Sequence, residues 1–231
     1  MVNVVWHGDA DDILCPSPLS KKSRSAIEAD IAASPVSIMR VCGRHFVFIS
    51  IKSTLPESRL FHNFVNAHET FHAAAQLGRG MRTPLALALA ESLAIDKVNF
   101  QAVHREVFSA WKESRCPCGL FDELNRMSNS QRIAVLWKIM IEWPAEYYSY
   151  LVVATRNGAT VEDYVRLRSL IGDYDVYSSG VFFALLGKEL GIDVRGKSNG
   201  LDWIDELRAR CPGTHLDLPH EGHAVISMPS Y

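Results

Sequence analysis

From Val36 to Ser53 the chain reads "VSIMRVCGRHFVFISIKS", a run dense in β-branched and aromatic residues with Gly43 as a turn residue. That pattern predicts a hairpin or two strands. Downstream the apolar positions recur at helical rather than alternating spacing. Leu55-Pro56-Glu57 opens a helix expected to run to about Leu77, where Gly78 closes it. Thr83 and Pro84 form a cap and first-turn pair for a helix from Pro84 to about Trp111, which "ESRCPCG" breaks. Asn129 or Ser130 starts a helix over "QRIAVLWKIMIEW". Pro144 is expected to end it and start another, "PAEYYSYLVVATR", which Asn157-Gly158 closes. Thr160 and Asp163 form a partial capping box for "VEDYVRLRSL". Further helices are expected from Tyr177 to Leu190, before Gly191, and from about Leu201 to Arg210.

This succession implies one domain at residues 36–213, an N-terminal appendage at 1–35 containing the Pro/Ser-rich "CPSPLS", and an irregular tail at 214–231. No apolar run reaches membrane-spanning length, since even "PLALALAESLAI" is short and carries Glu91. A net charge of -2 gives no electrostatic footprint for nucleic acid or anionic lipid, so neither partner is expected. The first residues, "MVNVVWHGDADD", are acidic where a secretory signal would be basic and then apolar, and a cytoplasmic location is expected. The five cysteines are odd in number and irregular in spacing, so reduced thiols are the expectation.

The chemistry concentrates in "NAHETFHAAAQLG", residues 66–78. His68 and His72 are four apart and so share one helix face, where two imidazole nitrogens can converge on one point. Glu69 is rotated by about 100° from His68, beside such a point rather than on it, which is the place of a general base and not of a ligand. In a chain of this composition the spacing H-E-x-x-H arises roughly 0.02 times by chance. A catalytic zinc takes three protein ligands and keeps a fourth position for water, whose pKa it lowers toward ~7. Glu91, with 18 residues between it and His72, is the candidate third ligand.

At these residues the sequence resembles the gluzincin metallopeptidases, in particular the peptidase MA-like group that includes the aminopeptidase/leukotriene-hydrolase and glycyl aminopeptidase families. There the third ligand lies in a segment P-x-W-L-x-E-G-x-A, to which "PLALALAESLAID" is similar at Pro84, Leu89, Glu91 and Ala94. The group's Tyr-x-x-Gly before an apolar helix is matched by "DVYSSGVFFALLGKELG" at Tyr177 and Gly180. The resemblance implies a zinc metallopeptidase with His68, His72 and Glu91 on the metal, Glu69 as general base and Tyr177 donating to the oxyanion. It also implies a mainly helical α+β, zincin-like domain, with a small β-sheet packed on the H-E-x-x-H helix and a helical C-terminal part. A peptide or protein substrate is the expected partner, held at an edge strand.

Two other classes fit some of the same residues. A di-metal helix-bundle oxidoreductase would use Glu69, His72, Glu91 and one of Glu142 or Glu146. A non-catalytic binding protein would keep the fold alone. Elsewhere, Cys116 and Cys118 lack the second Cys/His pair of a structural zinc site, His215, His220 and His223 read as a solvated tail, and His45, His62 and His104 as surface or satisfied core histidines.

Overall fold

The computed structural model describes residues 59–76, 100–170, 174–194 and 196–216, positions 25 and 29, and the backbone of residues 3–5, 36–41 and 44–49. Its helices are α1 (Arg59–Phe71), which continues as a π-helical turn over His72–Gln76, α2 (Phe100–Lys112), α3 (Cys118–Arg126), α4 (Asn129–Asn157), α5 (Val161–Ser169), α6 (Tyr174–Glu189) and α7 (Gly200–Arg210).

α4 organises the rest. Ser128 caps it in a reciprocal box with Gln131, and Gly158 ends it with φ of 66°, a left-handed conformation that glycine adopts without a Cβ clash. The break expected at Pro144 does not occur: the helix runs through the proline for 29 residues. The proline removes one hydrogen bond from the ladder, and burial on both sides holds the axis together against that loss. Leu136, Ile139 and Trp143 before it, and Tyr147 and Val153 after it, are all in the core. The Trp143 indole also donates to the Val176 carbonyl at 3.0 Å. α1, α6 and α7 pack on α4, and α2 packs on α6. The approach of α6 is set by Gly180, where a Cβ would lie 2.6 Å from the Trp143 Cα.

The α+β class expected from the sequence is corrected to an all-helical fold. Every side chain of the described core belongs to a helix or to the loops around Ile192, Val194 and Leu216. The β-rich run does form backbone pairs, Val36–Val41 antiparallel to Arg44–Ile49 with Asn3–Val5 parallel beside the latter. The helices and their loops supply the side chains of the described core, and the paired strands are described by their backbone alone. The expectation of reduced thiols is also corrected, because Cys116 and Cys211 form a disulfide across 95 residues, while Cys118 is an exposed free thiol among the described residues. Irregular spacing in sequence places no limit on which cysteines the helices bring together. Among the described residues no helix is long and apolar enough to cross a membrane.

Candidate metal centre

Phe61, Phe64 and Val65 point α1 into the core, and His68 and His72 continue the same face by the spacing of three and four. The histidines are therefore buried, 7% and 9% exposed. Phe71 is half-buried and meets the exposed Tyr148 ring at 5.3 Å. At His72 the helix widens into the π turn, a local distortion common at functional sites.

Opposite this face α4 presents Glu142 and Glu146, one turn apart on either side of Pro144. The Nε2 atoms of His68 and His72 are 3.0 Å apart, and Glu142 Oε2 lies 3.2 Å from the first and 3.3 Å from the second. These three atoms, with no backbone between them, form a near-equilateral triangle. The edge of a tetrahedron with metal–ligand bonds of ~2.0–2.1 Å is ~3.3 Å, so the triangle has the size of one face of a zinc site.

The far sides of both rings are engaged. Gln76 Nε2 donates to the carbonyls of Ile141 at 2.8 Å and Ser198 at 2.9 Å, which fixes the orientation of the amide. Its Oε1 therefore faces His72 Nδ1, at 2.6 Å, and must accept a proton from it. Neutral His72 then carries its lone pair on Nε2, toward the triangle. His68 Nδ1 meets Glu146 Oε2 at 3.0 Å in an ion-pair contact that lies outside good hydrogen-bond geometry. Glu146 is anchored in turn, its Oε1 accepting from the Tyr164 hydroxyl at 2.9 Å and pairing with Arg168 Nε at 3.4 Å. An acceptor behind each imidazole is the arrangement that orients metal-ligating histidines.

Charge points the same way. Burial alone would lower the His68 pKa, but contacts with Glu142 and Glu146, together with the charges of Glu146 and Glu69, outweigh it and raise the value to about 10. Glu142 is held well below the usual carboxylate range: burial opposes ionisation, and the contacts with His68 and His72 and the charges of His72 and Lys138 overcome it. Without an ion the cluster retains a proton among its donors. The same electrostatics favour a cation, and the donor set of two imidazoles and one carboxylate suits zinc.

Of the residues singled out from sequence, His68 and His72 come together as expected. Glu69 is half-buried on the same helix and is not one of the three donors. The Tyr177 ring stands edge-on to His68 at 5.7 Å, with the Arg168 guanidinium stacked on it at 3.8 Å. Glu91 lies outside the described residues, as do the tail residues His220 and His223. Sequence reasoning placed Glu142 and Glu146 only in the di-metal alternative and missed Gln76, Lys138 and Arg168. The available signals were two acidic residues four apart inside the apolar run of α4, and a glutamine four residues after His72.

A second cluster resembles a catalytic triad and is not one. His104 Nδ1 lies 3.3 Å from both Ser178 and Ser179 Oγ, and its Nε2 is 4.0 Å from Asp175. Both serine hydroxyls donate to carbonyls one turn back, those of Tyr174 and Asp175, so neither offers its proton to the imidazole. No family model, curated protein or solved structure matches this chain.

Proposed function

We propose that this protein is a zinc-dependent hydrolase of peptide bonds in which His68, His72 and Glu142 hold the metal. The observation that carries the reading is the pair of buried Nε2 atoms facing each other at 3.0 Å, with Gln76 accepting from His72 Nδ1 and the Glu146 carboxylate 3.0 Å from His68 Nδ1. The resemblance of the H-E-x-x-H segment to the gluzincin metallopeptidases supports the reaction class. Three protein donors leave a position for water, and zinc there supplies a Lewis acid that acidifies the water and polarises the scissile carbonyl. Glu69, next to a ligand but not one itself, takes the proton from water and passes it to the leaving amine. Tyr177, whose ring stands 5.7 Å from that of His68, donates to the developing oxyanion in this reading. The outer position of Glu146, at the Nδ1 side of His68 and held by Tyr164 and Arg168, favours one metal ion over two.

The test is hydrolysis of a mixed peptide library by the zinc-loaded protein and by Glu69→Gln, with zinc content measured on both. Equal zinc and a rate lower by on the order of 10²–10⁴-fold in the variant is the expected result. Absence of zinc from the wild type, or an undiminished rate in the variant, overturns the reading.

A further inference from the structure

Glu142 has two oxygens with different surroundings. Oε2 completes the triangle with the histidines, while Oε1 lies 3.2 Å from Lys138 Nζ, one helical turn away on α4. This ion pair is shielded, with the two side chains 18% and 11% exposed. Lys138 has no other acidic partner among the described residues, and its ammonium lies 5.9 Å from the ring centroids of both Trp137 and Tyr177. Attraction to the faces of those rings holds the ammonium in place, which is what an otherwise flexible lysine needs in order to act as a fixed clamp.

A carboxylate with both oxygens free can chelate a metal through both. If one oxygen is held by an ammonium away from bulk water, leaving that contact is costly and only the other is offered to the ion. The difference sets the coordination number. A one-oxygen Glu142 with two imidazoles leaves room for water in a tetrahedral site, whereas a two-oxygen Glu142 takes up that room.

We infer that Lys138 is a positioning residue that holds Glu142 to single-oxygen ligation and so keeps a coordination position available to water. The inference rests on the metal reading above and concerns a property that reading leaves undetermined. It accounts for a cation next to a metal ligand, a placement that would otherwise only weaken the site by repelling the ion.

The test uses the full chain with cobalt(II) in place of zinc, because the visible absorption of cobalt is strong in four-coordinate sites and weaker at higher coordination. The wild type should give the four-coordinate spectrum. Lys138→Met should bind cobalt with its molar absorptivity lowered at least roughly twofold, as Oε1 turns onto the ion, and Lys138→Arg should restore the wild-type intensity. A cobalt-loaded Lys138→Met protein with an unchanged spectrum overturns the inference and leaves the metal reading standing. X-ray absorption of the zinc-loaded wild type gives a check that needs no variant: a carboxylate bound through both oxygens overturns the inference. Failure of the wild type to bind either metal overturns both.

Discussion

His68 and His72 face each other through Nε2 at 3.0 Å in a buried site, where two lone pairs would meet if each neutral ring carried its proton on Nδ1. In that arrangement a proton or a metal ion between the two nitrogens makes the contact favourable. The acceptors behind the rings, Gln76 and Glu146, help decide which nitrogens point inward.

Gln76 touches no donor of the triangle except through His72, so its removal should affect the metal by way of the ring. Gln76→Leu is expected to weaken zinc binding by roughly 10–100-fold while the helical circular-dichroism signal is retained. Competition with a chromophoric chelator measures the affinity. Nitrogen-15 shifts of the zinc-loaded wild type should show His72 protonated on Nδ1, and the Nε2-protonated form would contradict the tautomer deduced from the Gln76 amide.

Tyr177 lies between Arg168 and His68, and its ring and its hydroxyl have separable roles. Tyr177→Phe keeps the ring and should lower the hydrolytic rate by on the order of 10²-fold with little change in KM, because donation to an oxyanion matters in the transition state. Tyr177→Ala removes the surface on which the buried Arg168 stacks and should also cost about 2 kcal/mol of stability. A fully active Phe variant would take the hydroxyl out of the mechanism.

Gly180 belongs to the Tyr-x-x-Gly match, and the structure gives it a packing reason of its own. A Cβ there would meet the Trp143 Cα at 2.6 Å, a backbone atom that no rotamer change can move. Gly180→Ala should therefore destabilise the protein by about 1–3 kcal/mol in urea unfolding, even though alanine is the better helix former. Because α4 carries Glu142 and Glu146, the variant should also bind zinc less tightly. Unchanged stability would mean that α6 and α4 sit further apart than described.

Local information in the sequence was enough for several helix ends and for half of the centre, but not for α3, which the pattern did not predict. The Thr160–Asp163 box forms as expected, and Gly158 ends α4 as expected. The pairing of His68 with His72 follows from helical period alone, because four residues make about one turn wherever the helix sits. The same locality explains the errors. Proline chemistry argued for a break at Pro144, but the burial of Trp143 and its neighbours outweighs one lost hydrogen bond. Cysteine spacing said nothing of the approach of Cys116 to Cys211 across 95 residues.

A local pattern could mark Glu142 as a candidate but could not pair it with the histidines. Glu142 is 74 positions from His68, and it arrives there because α1 and α4 bury their apolar faces against one another. The chain therefore determined by itself which side chains could bind a metal and in what local geometry. Tertiary packing decided which distant carboxylate meets them, since contacts between helices depend on the whole core and not on spacing along the chain.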